Sequence, residues 1–407
     1  MTRVDADLLI PGEGAPIANA SVVFDGPTIT YVGATSAAPE APDVVQVPVV
    51  MPGLWDCHGH FMGVRTLDLA DAVRVPVEVR AARAAKDAER VLQAGFTSIR
   101  EAGGLGVHLA HVIDEGLLAG PAIYGPGAIL STTGGHGDLH SLPLPWVMDA
   151  CERGTDFELC DGVPECLRAV RKQLRMGARV IKICASGGVL SEIDDPIHQQ
   201  FSDDELRAIV EEAGRADRVV MAHCHGKPGI MAALRAGCHT IEHGTFLDEE
   251  AAAAMREQGA VLVPTRFIVE RMLAAKDQVP DYAWPKLVAI ADRHRDAIAL
   301  AYEAGVKIAL GTDIATSGPT TVDPWGDNGE ELEHLVMAGL SPLDAIAAGT
   351  SVAPSTLGPQ APLSGRLAEG YDADVIAVAA NPLDDIAVLG RPHQVTHVWK
   401  AGHQVKG

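Results

Sequence analysis

Val49–His60 reads VVMPGLWDCHGH. The run is apolar almost throughout, is broken by a Pro-Gly step and closes on two histidines one residue apart. A short strand without polar alternation is buried on both faces, as in a parallel sheet sheathed by helices. Alternate residues of a strand share a face, so His58 and His60 are expected to point to the same side. Such a pair either begins a metal site or is incidental, and its partners along the chain decide which.

Seven similar runs follow: FTSIRE, AIYGPGA, ARVIKICAS, RVVMAHCH, HTIEHG, AVLVPT and VKIALGTD. Ala-, Glu- and Arg-rich stretches with helical character lie between most of them. VEVRAARAAKDAERVLQAG ends at Gly95, a suitable helix stop. In FSDDEL, Ser202 and Glu205 have capping-box spacing, and Asp203 and Asp204 suit the positive end of a helix. Those acids are therefore read as structural. Eight strand–helix units predict an α/β fold, a (β/α)8 TIM barrel over residues 51–358. The two ends of the chain have another rhythm. ADLLIPGEGAPIANASVVFDGPTITYVGA and GYDADVIAVAANPLDDIAVLGRPHQVTHVWKAGHQV alternate Val/Ile-rich runs with turn residues. Segments 1–50 and 359–407 are expected to join as a small β-sandwich domain.

Composition narrows the function. The chain has 407 residues, 47% of them hydrophobic, enough for a large core. A formal net charge of −22 argues against nucleic acid or an anionic membrane as partner. A small-molecule or dipeptide substrate is compatible with it, and so is a homo-oligomer. The seven cysteines are odd in number, and Cys151, Cys160 and Cys166 lie close together without a CxxC pair. The N-terminus lacks a long apolar segment, and no run of about 18 apolar residues suggests a membrane span. The expected setting is cytoplasmic, with free thiols.

Chemistry in a barrel gathers at the C-terminal ends of its strands. There the sequence places His58 and His60 (first strand), Lys182 (fourth), His223 (fifth), His243 (sixth) and Asp313 (eighth). Each alone has an ordinary structural reading; together, on separate strands, they suit divalent metals. A lysine among apolar residues has a depressed pKa, and a neutral amine adds carbon dioxide to become a carbamate. Carboxylated Lys182 would bridge two divalent ions, zinc the first choice. His58, His60 and Asp313 would hold one, and His223 and His243 the other. A water between two such ions is acidified to a nucleophile. Asp313 is placed to take its proton and deliver it to the leaving group.

This pattern resembles the amidohydrolase superfamily in its binuclear form. PGLWDCHGH is similar to the family's first-strand motif, GTD to its last, and GRLAEGYDADVIAVAANPLDDI to the tail that returns to the small domain. STTGGHGD, IKICASGGVLSEIDDP and AHCHGKPGI with GCHTIEHGTF resemble one branch. That branch holds prolidase-like Xaa-Pro dipeptidases, dipeptidases for C-terminal basic residues, imidazolonepropionase-like proteins and ochratoxin-degrading amidohydrolases. The resemblance implies hydrolysis of an amide beside a free carboxylate, in a dipeptide or an N-acyl amino acid. His136, in the Gly-rich loop, is expected to hydrogen-bond the carbonyl oxygen or the carboxylate. His140, His225 and Arg266 are further substrate-contact candidates, Arg266 through a bidentate fork. Cyclic-amide hydrolysis is the competing enzyme reading, and a non-catalytic metal-binding subunit the competing class. A deaminase is disfavoured, because His225 stands where those relatives typically have Glu and Lys182 occupies the bridging position.

Overall fold

In the computed structural model, which describes residues 1–154 and 156–407, the Leu54–Val64 strand is buried at every position. It lies parallel to Phe96–Glu101 on one side and to Ile314–Thr316 on the other. Phe96–Glu101 pairs with Ala122–Tyr124. From Ile129–Ser131 the parallel series runs through Ile181–Cys184, Val220–Cys224, Thr240–His243, Val261–Val263 and Lys307–Ile308. The result is the expected TIM barrel, with the third and eighth strands each interrupted. Pro126, which has no N–H to give a ladder, interrupts the third. Backbone bonds from Arg179 to Gly125 (2.9 Å) and from Cys57 to Leu310 (2.7 Å) cross the two breaks and close the barrel.

The helices bury apolar faces against the outside of this cylinder. Val77–Gln93 is followed by Gly95 at φ +95°, a conformation that favours glycine. At Asp203–Gly214 the capping box is complete: Ser202 accepts from the Glu205 N–H and the Glu205 carboxylate accepts from the Ser202 N–H. Among the described residues, no helix is long and apolar enough to cross a membrane.

Both ends of the chain build one separate mixed sheet of seven strands. Thr2–Leu9, Ile17–Asp25, Thr28–Ala34 and Asp43–Pro52 come from the start, and Val375–Val378, Val395–Lys400 and His403–Lys406 from the end. Val375–Val378 lies antiparallel on Asp43–Pro52, which joins the two termini. Phe24 and Trp399 meet edge to face at 6.1 Å in its core. Asp43–Pro52 leads directly into the first barrel strand, so this sheet anchors the root of the strand that carries His58 and His60.

Candidate metal centre

The first strand bulges between Asp56 and Gly59. The bulge breaks strict alternation and separates Asp56 from the two histidines. Asp56 instead accepts hydrogen bonds from the main chain of His58 (2.9 Å), from Thr312 Oγ1 (2.5 Å) and from Asn328 Nδ2 (2.7 Å). It thus ties the eighth-strand turn to the first strand. The Asp313 N–H completes the tie at His58 O, 2.6 Å away. Asp313 itself sits at φ +63°, His243 at +68° and Thr265 at +59°. Three non-glycine residues in the left-handed region at neighbouring strand ends mark a site whose geometry is imposed by its surroundings.

Two groups of donor atoms result. In one, the Nε2 atoms of His58 and His60 lie 3.3 and 3.0 Å from Asp313 Oδ1. In the other, His223, His225 and His243 each bring a ring nitrogen within 4.8 Å of the others. The groups adjoin: the His58 and His243 ring centres are 5.0 Å apart. Lys182 Nζ stands 3.4 Å from His58 Nε2. His225, read from sequence as a substrate contact, therefore shares a possible ligand cluster as well.

Outward hydrogen bonds orient the rings. The Nδ1 atoms of His58, His60, His225 and His243 face Glu242 Oε2 (2.7 Å), Gly103 O (2.8 Å), Thr245 Oγ1 (2.7 Å) and Thr265 Oγ1 (2.8 Å). That leaves each Nε2 directed inward, the arrangement metal-ligating histidines adopt. His223 is turned the other way, with Nε2 3.2 Å from Gly187 O and Nδ1 left as its donor. Burial drives the His60, His223, His225 and His243 imidazoles toward the neutral form, His225 down to about 3. Burial also lowers Lys182, toward the free amine. Burial works against ionised Asp313, but His58 and His60 outweigh it and hold its carboxyl well below the usual range. Neutral imidazoles, an ionised carboxylate and a deprotonatable amine form a donor set that fits divalent cations.

A cavity of about 590 Å³ opens over the first group, with Met62, Leu67, Leu69, Ile129 and Phe157 in its walls. A second, of about 420 Å³, opens over the other group, walled by Val189, Val269, Met272 and Ile290. His136, Leu190, His223, His243, Ile268 and Asp313 line both. His136, expected at the substrate, therefore lies between the two lobes. His140 lies outside them, in a shallower hollow with Asp138 and Glu192. Arg266 also lies elsewhere: its guanidinium pairs with Glu270 at 2.6 Å and bonds the Ala291 carbonyl. Its donors are spent on the helix framework, so it is not placed as a carboxylate clamp.

The Amidohydrolase family model matches residues 49–405. The chain belongs to the amidohydrolase family. It is 44% identical to the ochratoxinase of Aspergillus niger over all of this chain and 87% of that protein. The crystal structure of A. niger ochratoxinase superposes with a TM-score of 0.95, covering all of this chain and 95% of the other. A prolidase complexed with N-methylphosphonate-L-proline is 33% identical, with a TM-score of 0.90 and coverage of 100% and 99%. A Xaa-Pro dipeptidase with methionine bound in its active site is also 33% identical, with a TM-score of 0.88 over the full length of both chains. This amidohydrolase is thus a hydrolase acting on amide bonds.

Some residues of the amidohydrolase site escape the sequence reading. Arg100 and Glu242, both fully buried, form a two-pronged ion pair (2.8 and 2.7 Å) beneath His58. Burial alone would raise the Glu242 carboxyl, but Arg100 and His58 bring it down to about 2. Glu242 therefore accepts from His58 Nδ1 as an anion and sets that ring's inward nitrogen. A charged residue in the middle of the apolar run HTIEHG was the available signal.

Proposed function

We propose that this chain is a binuclear metal-dependent amidohydrolase. Its substrate would be an N-acyl amino acid or dipeptide with apolar groups on both sides of the scissile amide. The observation that carries the reading is the pair of apolar lobes meeting at one cluster of inward-turned donors. His58, His60 and Asp313 would hold one cation, His223 and His243 the other, and carboxylated Lys182 would bridge. Zinc suits this set. Two cations there would acidify a water and polarise the amide carbonyl.

The protein's own groups do the rest. Leu190 and Ile268, shared by both lobes, exclude bulk water from the reacting centre and hold the acyl and side-chain groups apart. Asp313 presents a carboxylate oxygen beside His60 Nε2, where it can hold a proton and release it to the departing amine. Among the described residues no arginine lines either lobe, so a substrate carboxylate falls to main-chain groups rather than to a guanidinium. The ochratoxinase relative makes ochratoxin a substrate to test first. Seven free, buried thiols suit a reducing compartment.

Protein from zinc-supplemented growth should carry about two metal ions per chain by elemental analysis. Lys182→Ala should lose both metal and activity, with partial rescue by short carboxylic acids. In a panel of N-acyl amino acids, Xaa-Pro dipeptides and cyclic amides, the first class should turn over fastest. Turnover confined to cyclic amides would reverse the reading.

A further inference from the structure

One aromatic ring walls the first lobe on the side away from the second. Phe157 opens the short strand Phe157–Leu159, which lies parallel to Ile129–Ser131 with Phe157 in register with Ile129. Both residues line the lobe. Glu158 faces the other way, to Lys172 Nζ at 2.5 Å, as strand alternation requires. A further hollow of about 270 Å³ also borders Phe157, walled by Ala72, Val73, Leu139, Val147, Ala150 and Cys151. Among the described residues, Phe157 is the one that lines both the lobe and this hollow.

The ring is packed from both sides. It is 6% exposed and shares one apolar cluster with Met62 and Ile129 of the lobe and with Leu139, Val147 and Cys151 of the hollow. Its Cδ1 lies 3.5 Å from the point a Cβ on Gly137 would occupy, ordinary van der Waals contact. The hollow is braced as well. Arg80, 1% exposed, makes a two-pronged pair with Asp156 (2.7 and 3.0 Å) and donates to the Ala72 carbonyl at 2.8 Å. One buried guanidinium thus ties the residue before Phe157 to the helix Asp71–Arg74, which also borders the hollow. Lys172 ties in the helix Leu144–Arg153, by bonding both the Cys151 carbonyl and Glu158. Neighbours fastened in this way relax only partly into space left by a shortened side chain, so such space persists.

We propose that Phe157 is a partition that sets the size limit of the first lobe. It bars a substrate group seated there from the hollow behind, so groups that outgrow the lobe are excluded. Phe157 is a specificity-determining residue and has no polar atom with which to join the bond cleavage. The walls of the hollow are apolar, and its one carboxylate, Asp156, is engaged by Arg80. The excluded group is therefore an alkyl or aryl chain. The identity of the substrate rests on the amide-hydrolase reading above, whereas the partition does not.

Two substrate series test this with zinc-grown protein. One is N-acyl-L-phenylalanines from acetyl to dodecanoyl; the other is N-benzoyl-L-amino acids from alanine to tryptophan. The readout is kcat/KM for the large members divided by that for the small. Phe157→Ala should raise this ratio about tenfold in one series, the scale of two buried methylenes. Phe157→Leu should give a smaller rise, and serves if the alanine variant does not fold. Val147→Phe, which fills the hollow from another wall, should leave the wild-type ratio unchanged. Combined with Phe157→Ala, it should cancel the gain. An unchanged ratio in both series, with all members slowed alike, makes Phe157 a packing residue only and overturns the proposal. A gain that survives Val147→Phe overturns it too, because the added room then lies elsewhere. If wild type cleaves no member of either series, the amide reading fails. The same compounds are then compared as ligands by calorimetry, where Phe157→Ala should favour the large members about tenfold more than wild type does. Equal selectivity in the two proteins overturns the partition.

Discussion

Arg266 illustrates what a single residue's sequence position conveys. A guanidinium just past a barrel strand suggests a carboxylate clamp, yet Arg266 is only 5% exposed and is paired with Glu270 and the Ala291 carbonyl. The partners lie one helical turn ahead and on a second helix, and nothing local in VPTRF announces them. Arg266→Met should therefore cost stability, about 2 kcal/mol by the loss of buried charge-assisted bonds, and change KM less than twofold. Thermal unfolding and steady-state kinetics of one preparation test this; a KM rise with unchanged Tm would restore the clamp. His58, His60, Lys182, His223, His243 and Asp313 were legible for the opposite reason. Each is a metal-suited side chain at a strand end, and the barrel brings strand ends together whatever the loops do. Asp56 lies in the same motif but serves the eighth-strand turn, because the bulge beside it does not show in residue types.

At the scale of elements, the eight strands were legible from uninterrupted apolar runs, and the helix over 203–214 from its capping box. The cap over the site, residues 187–200, was not. Ser191 and Gln200 each bond both Asp194 and His136, and Lys286 reaches the Ser191 carbonyl from the helix Ala283–Glu303. These residues share no periodicity and meet only after the barrel closes. Glycine is the one local signal: GG at Gly187–Gly188 marks close approach, and Gly188 has the His136 ring against its α-carbon. Gly188→Ala would drive a methyl into a ring that Ser191 and His223 prevent from yielding. We expect at least a tenfold fall in kcat/KM with metal content unchanged, since neither residue belongs to the two donor groups. Wild-type kinetics in this variant would mean that the His136 ring is free to move.

Across the whole molecule, the surplus of acidic over basic residues stands apart from a centre crowded with buried imidazoles. That contrast makes stability depend on pH in a definite direction. His294 gives the cleanest case, because it lies outside both donor groups. It is 1% exposed, and its Nε2 donates to Pro264 O at 2.7 Å. Burial, with help from Arg266, lowers its imidazole to about 4 from the ordinary 6.5. The folded chain then binds fewer protons than the unfolded chain between these values, so stability rises with pH across that window. The contribution is complete above pH 6.5 and is lost as pH falls through about 4, on the order of 3 kcal/mol in full. His60, His136 and His225 act in the same sense, so chelator-treated protein should lose thermal stability steeply below pH 6.5. His294→Gln keeps a donor for the Pro264 carbonyl but cannot titrate. Its Tm should match or fall slightly below wild type at pH 8, and its drop from pH 8 to pH 5 should be visibly smaller. Parallel Tm curves for the two proteins would show that His294 is protonated as readily in the folded chain as in the unfolded one.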